Sequence, residues 1–185
     1  MTILAIADDD THLCQRPGGG IDVLISCGDL HDAAIQRAID HYQPRKVFAV
    51  RGNHDTDAPF PDGIVDLHCS MEVFEGIRFV GFGGSWKYKP RGHHLYEQTE
   101  VSALLKSFPP ADVFITHNSP AGIHERDREV HQGFEAFLPY LDRTRPTLMI
   151  HGHQHLDLST VRGSTTILGV YGETLVRLDR PNRSS

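Results

Sequence analysis

At 185 residues, with 39% hydrophobic and 23% charged, the chain has the size and balance of one globular domain over residues 1–185 that buries its own core. A net charge of -6, with Lys and Arg scattered singly, argues against a basic face for duplex nucleic acid. No stretch approaches the ~18 apolar residues of a membrane span, and the first residues lack the pattern of a signal peptide, so a cytoplasmic location with no membrane partner is expected.

Three cysteines, Cys14, Cys27 and Cys69, are odd in number and show no CxxC spacing, which indicates neither a disulfide framework nor a zinc-thiolate site. The unusual count is 13 histidines. They imply metal or acid-base chemistry only if the chain brings them together.

Residues 3–7 form an unbroken apolar run that ends in Asp8-Asp9-Asp10-Thr11-His12, the pattern of a central strand delivering carboxylates at its tip. Adjacent acids repel unless a cation offsets them, although a solvated acidic turn would look the same. After a flexible loop at 17–20, residues 21–26 repeat the design and lead into Cys27-Gly28-Asp29-Leu30-His31-Asp32.

Residues 33–41 have helical spacing, with Ala34, Ile35, Ala38 and Ile39 on one face, and Pro44 stops the helix. The β-branched run 46–50 is a buried strand, and Arg51-Gly52-Asn53-His54-Asp55 follows it. That turn sets an amide oxygen, an imidazole and a carboxylate side by side at a strand's carboxyl end. Gly, Asn and Asp are also ordinary turn formers, so this turn alone decides nothing.

Shorter strands are expected at 65–67, 71–74 and 77–81, followed by a long surface loop at 83–92. Trp86 in that loop is read as packing, while Tyr88 suits packing or a substrate mouth equally. Residues 97–108 are helical and close at Pro109-Pro110, and the strand 113–116 ends in His117-Asn118-Ser119-Pro120.

The polar segment 122–133, with His124, Arg126, Arg128 and His131, is a solvated loop or a holder of a phosphate or nucleotide. A helix at 134–141 and a strand at 147–150 follow, the latter ending in His151-Gly152-His153-Gln154-His155. Strand-like runs at 165–170 and 174–178, joined at Tyr171-Gly172, suit a final hairpin at a sheet edge.

Five apolar strands thus end in a group able to bind a divalent cation: Asp8, Asp29, Asn53, His117, and the pair His153 and His155. Strand ends of a wound α/β sheet converge. In an extended segment His153 and His155 share one side and can meet neighbouring ions.

Gly28-Asp29, Gly52-Asn53-His54-Asp55, Thr116-His117 and Gly152-His153-Gln154-His155, in that order, resemble the motifs of the calcineurin-like metallophosphoesterases. Phe82-Gly83-Gly84-Ser85 and Gly133-Phe134-Glu135-Ala136-Phe137 extend the likeness to small bacterial-type members. The resemblance implies an α/β, four-layer αββα sandwich of two mixed β-sheets flanked by helices, with a dinuclear centre. It implies that Asp29 bridges both metals, that Asp8 and His155 hold the first, and that Asn53, His117 and His153 hold the second. His54, next to a ligand on a tight turn, is implied as the general acid over the site. Asp55 orients it or stabilises the turn.

The chain departs from the family at the first block, where Asp8-Asp9-Asp10 stands for Asp-x-His. If the strand ends at Ala7, Asp10 takes the histidine's place on the same side as Asp8. If the alignment slides by two, Asp10-Thr11-His12 restores the pattern and puts Asp8 behind it. The first register is preferred, because sliding moves the ligand by two extended residues of ~3.3 Å each.

Oxygen and nitrogen ligands without thiolate suit Mn²⁺, Fe or Zn²⁺, and a carboxylate at Asp10 favours Mn²⁺. The expected activity is hydrolysis of small or nucleotide phosphodiesters. The alternatives are a phosphomonoesterase, a single-strand nuclease, or a non-catalytic metal-binding scaffold like the retromer subunit of this fold.

Overall fold

A computed structural model describes residues 1–126 and 129–179. The chain lays down β1 (Thr2–Ala7), β2 (Val23–Ser26), α1 (Asp32–Tyr42), β3 (Lys46–Ala49) and β4 (Ile64–Asp66). There follow β5 (Ser70–Phe74), β6 (Ile77–Phe82), the two-residue β7 (Ser85–Trp86) and β8 (Leu95–Tyr96), α2 (Gln98–Leu105) and β9 (Val113–Thr116). The last third gives α3 (Phe137–Thr144), β10 (Leu148–His151), β11 (Leu158–Arg162), β12 (Thr165–Gly169) and β13 (Gly172–Arg177).

Two mixed sheets result, one in the order β13-β1-β2-β3-β4 and the other β11-β12-β10-β9-β6-β5. Strands β1 to β4 run parallel with β13 antiparallel at the edge, and in the second sheet β6, β9, β10 and β12 run parallel. The side-chain alternation of β1 assigns the layers. Ile3, Ala5 and Ala7 join Phe48, Phe79, Val113, Ile115 and Ile150 in the seam between the sheets. Leu4 and Ile6 pack with Ala34, Ile35, Ala38 and Tyr42 of α1. On the far side Phe114 and Met149 pack with Val101, Leu105, Phe137 and Leu141 of α2 and α3. The order is therefore helix, sheet, sheet, helices. Strands buried on both faces are why the sequence shows apolar runs rather than alternation.

Each helix has a local cause. Helix α1 ends where Gln43 turns left-handed (φ 48°) ahead of Pro44. Helix α2 starts in a capping box between Glu97 and Glu100. Helix α3 begins three residues later than expected because Phe134 is used elsewhere, its N–H donating to the Ser119 carbonyl. Pro139 is tolerated because the first turn has no intrahelical partner for its missing N–H.

The expected final hairpin does not form. Runs 165–170 and 174–178 enter different sheets, β12 beside β10 and β13 antiparallel to β1. The hairpin is instead β11–β12, with β11 an exposed edge strand turning at Gly163 (φ 60°). Among the described residues no helix is long and apolar enough to cross a membrane.

The seam is closed by Phe48 and Phe79, both fully buried, with ring centroids 4.7 Å apart. Phe48→Ala is expected to cost about 3–5 kcal/mol, the range for emptying a buried aromatic, measured as a shift of the denaturant midpoint with unchanged slope. A cost under ~1 kcal/mol would show that the sheets close over the gap.

Candidate metal centre

The carboxyl ends of β1, β2 and β3 meet those of β9 and β10 at one edge of the seam. Asp8 (φ 62°), Asp29 (φ 55°), His153 (φ 66°) and His155 (φ 50°) all have left-handed backbone, a conformation costing non-glycine residues on the order of 1–3 kcal/mol. Such strain persists where the surrounding structure holds it, and here it turns four side chains toward one another.

Asp29, His117 and His153 each present a ligand atom, and these atoms lie within 4.8 Å of one another. The His117 Nδ1–H donates to the Cys27 carbonyl at 2.8 Å, which leaves Nε2 facing Asn53 Oδ1 at 3.0 Å and Asp29 Oδ2 at 3.4 Å. This is how an outer hydrogen bond selects the ligating nitrogen. His153 donates from Nε2 to the Val130 carbonyl at 2.9 Å, and its backbone N–H donates to Asp8 Oδ2 at 2.8 Å. His155 Nε2 lies 3.7 Å from Asp8 Oδ1.

Glycine is required where these groups crowd. A Cβ on Gly52 would stand 2.1 Å from Asp29 Oδ1 and 2.6 Å from His117 Cε1, and one on Gly152 would stand 2.7 Å from Asp8 Oδ2.

Burial pushes the Asp8 carboxyl up to about 7, with the charge of His117 opposing and that of Asp29 assisting. Burial also acts upward on Asp29, but the charge and hydrogen bond of His117 and the His54 N–H outweigh it and hold Asp29 below the usual range. Burial would lower His117, yet the Asp29 charge and hydrogen bond, with Asp8 behind, raise it to about 9. Burial, with the His117 charge, lowers His153 to about 3. A protonated His117 is thus the positive charge that balances the carboxylates.

These residues fit a bound divalent cation. Asp8 Oδ1 is buried and has no hydrogen-bond partner among the described residues, and an unsatisfied buried carboxylate oxygen is costly unless a cation meets it. The converging donors are carboxylate, amide and imidazole. The one nearby thiol, Cys27, is fully buried and pushed up by burial and by Asp8, so it stays a neutral thiol whose carbonyl orients His117.

Of the expected ligands, the structure brings together Asp8, Asp29, Asn53, His117, His153 and His155. It does not bring Asp10, which is exposed and whose carbonyl accepts from Arg37. The extended alternation on which the shared side of Asp8 and Asp10 depends breaks at the left-handed Asp8. His12 faces outward too, its Nδ1 2.5 Å from Asp9 Oδ2. His153 and His155 meet the centre as two left-handed residues, not as alternating members of an extended strand.

Other contributors had weak sequence signals. Asp55 stabilises turns, its Oδ2 accepting from the N–H groups of Gly52 (2.7 Å) and Asp29 (2.9 Å). Tyr88 reaches the centre, its hydroxyl accepting from Asn53 Nδ2 at 3.3 Å, while Trp86 packs on the helical layer. Gln154 Nε2 donates to the His131 carbonyl and to Ser119, and so docks these two residues on the histidine turn. Within the polar segment Arg128 lies outside the described residues. Buried His151 donates from Nδ1 to the Gly152 carbonyl and meets His124 at 2.9 Å. Only contacts reveal these roles.

The model of the calcineurin-like phosphoesterase family matches residues 4–157. No curated protein matches the chain. Among solved structures, TT1561 of Thermus thermophilus is 17% identical with a TM-score of 0.57, covering 92% of this chain and 89% of that one. The phosphopantetheinyl hydrolase PptH of Mycobacterium tuberculosis is 15% identical with a TM-score of 0.59 and the same coverages, 92% and 89%. At these identities the likeness is one of fold.

The charge balance has a pH signature without metal. His117, raised to about 9 from 6.5, stabilises the fold fully below 6.5 and loses that contribution as pH rises through about 9. Asp8, raised from 3.8 to about 7, adds a loss across that lower window. His151 and His153, lowered by burial to about 3, act in the opposite sense, but only up to pH ~6.5, so above that point the metal-free protein should melt at a lower temperature at pH ~9.5 than at pH ~7, and saturating divalent ion should flatten the trend by replacing the proton. Scanning calorimetry across this range decides it; a melting temperature that rises with pH contradicts the assignment.

Proposed function

The chain belongs to the calcineurin-like phosphoesterase family, and from that premise we propose that it is a metal-dependent hydrolase of small or nucleotide phosphodiesters. The observation that carries this reading is the convergence of Asp8, Asp29, Asn53, His117, His153 and His155 around a buried carboxylate oxygen without a partner. Beside them stands His54, exposed, with its N–H donating to Asp29 Oδ1 at 2.8 Å.

Asp29 would be shared by two divalent cations, with Asp8 and His155 holding one and Asn53, His117 and His153 the other. Bound there, the cations supply an activated water near neutral pH and offset charge on the phosphoryl oxygens. Three oxygen donors, Asp8, Asp29 and Asn53, with three imidazoles and no thiolate suit Mn²⁺, Fe or Zn²⁺; with Asp10 turned away, the added carboxylate that favoured Mn²⁺ is not at the centre. The chain's own work is to hold the phosphoester over Asp8 and Asp29 and to protonate the leaving oxygen from His54. A pure scaffold has no use for an imidazole in that place.

A diester suits the surroundings better than a monoester dianion, which needs further cationic donors. Lys87 is paired with Glu97 at 3.1 Å, and Arg51 with Asp32 at 2.7 Å. Arg126 is exposed. Among the described residues Arg126, whose charge reaches His155, is the one guanidinium or ammonium at the mouth without a carboxylate partner, so small substrates are favoured over duplex nucleic acid.

His54→Ala should reduce turnover by about 10²- to 10⁴-fold while leaving metal content unchanged. Loss of metal from that variant would make His54 a ligand instead. Asp29→Ala should empty the centre by elemental analysis, and retention of two ions would refute its shared role. With Mn²⁺ added, bis-p-nitrophenyl phosphate should show a higher kcat/KM than p-nitrophenyl phosphate; the reverse order would make the protein a monoesterase, and hydrolysis of neither would return it to the scaffold class.

A further inference from the structure

We propose that two clefts on opposite sides of the Asp8–Asp29 pair receive the two ester arms of one substrate, an uncharged nucleoside in the wider and a small leaving alcohol in the narrower. The proposal rests on the phosphodiesterase reading and names its substrate class. Sheet order gives the opposition. Along β13-β1-β2-β3-β4 the wider cleft lies on the β13 and β1 side of the carboxylates, and the narrower lies on the β2 and β3 side.

The wider cleft, about 530 Å³, is lined by His12, Gln15, Arg16, Asp157, Tyr171 and Glu173, within the roughly 300–1,000 Å³ of small-molecule sites. Tyr171 joins it to the centre, with its ring centroid 5.2 Å from that of His155, whose Nε2 is 3.7 Å from Asp8 Oδ1. The narrower cleft, about 230 Å³, is lined by residues including Leu30, His31, Arg51, His54 and Thr56. It joins the centre through His54, whose N–H donates to Asp29 Oδ1.

The leaving arm belongs on the side of the proton donor, so it enters the narrower cleft. That cleft cannot widen by moving Arg51, whose guanidinium is locked between Asp32 at 2.7 Å and the Phe60 ring at 3.6 Å. The larger arm is therefore the one that stays on phosphorus.

The wider cleft's chemistry narrows that arm. Its wall is fixed, because Glu173, whose side chain is buried, accepts from the N–H groups of Cys14 (2.8 Å) and Gln15 (3.2 Å) and from the Tyr42 hydroxyl at 2.8 Å. Asp157, Glu173 and neighbouring Asp9, whose charge reaches the Tyr171 hydroxyl, outnumber the single guanidinium of Arg16, itself 3.7 Å from Glu173. A further phosphate is disfavoured there. An aromatic face beside amide and carboxylate groups instead suits a planar heterocycle with hydrogen-bonding edges. In the reaction, water oxygen bonds to phosphorus, the bond from phosphorus to the leaving oxygen breaks, and a proton ends on that oxygen. The products are a nucleoside monophosphate and an alcohol.

The test holds the leaving group constant. With Mn²⁺, the p-nitrophenyl ester of thymidine 5′-monophosphate is compared with methyl p-nitrophenyl phosphate. The nucleoside ester should have a kcat/KM about tenfold higher or more, the scale of one base stacked on an aromatic ring. Tyr171→Leu should bring the ratio of the two toward unity, Tyr171→Phe should preserve it, and metal content should be checked in both. Equal kcat/KM for the two esters, or a ratio that survives Tyr171→Leu, overturns the cleft assignment and leaves the phosphodiesterase reading standing. Hydrolysis of neither ester with Mn²⁺, Fe²⁺ or Zn²⁺ overturns that reading and this proposal with it.

Discussion

Negative charge held at the seam between two sheets is the constraint on which the rest depends. Asp8, Asp29 and Asp55 stand on adjacent turns, each pushed upward by its burial, and carboxylates this close cannot all ionise without a compensating positive charge. Without metal that charge is the proton on His117, raised to about 9 by Asp29 and Asp8 against the effect of burial. His117 arrives from the second sheet, so the same interaction fastens the two sheets at this edge. A cation in its place would relieve the same repulsion, which ties folding and metal binding to one set of atoms.

The backbone carries the corresponding cost. Four residues of the centre occupy left-handed conformations, and Gly52 and Gly152 occur where a methyl group would strike a carboxylate oxygen. Hydrogen bonds hold the strained turns in place: Asp55 joins the turns after β2 and β3, and Asp8 holds the N–H of His153. The seam behind them, packed around Phe48 and Phe79, keeps the two sets of strand ends in register. The helical layers lie on the outer faces, which leaves the carboxyl ends of the strands open for clefts on either side.

Much of this was legible in the chain itself. Apolar runs without alternation indicated strands buried on both faces, and their polar tips indicated where chemistry would sit, because a strand interior cannot accommodate unpaired carboxylates and imidazoles. The glycines of the motifs marked tight turns, and the lack of paired cysteines marked an oxygen and nitrogen donor set. Six of the seven residues expected as ligands, all but Asp10, come together on this basis, with His54 beside them.

What the tertiary structure decided depends on contacts between segments distant in sequence. Strand alternation placed Asp10 beside Asp8, but the left-handed turn at Asp8 is set by packing against Gly152 and His153, some 145 residues away, and it carries Asp10 outward. Whether the last two strands pair with each other or divide between sheets depends on the open edge beside β1, which no local pattern encodes. The roles of Asp55, Tyr88 and Gln154 likewise rest on hydrogen bonds between segments distant in sequence. Sequence determined which groups stand at strand ends, since periodicity and turn chemistry are local; the direction each group faces, and the partner it meets there, are properties of the assembled sheets.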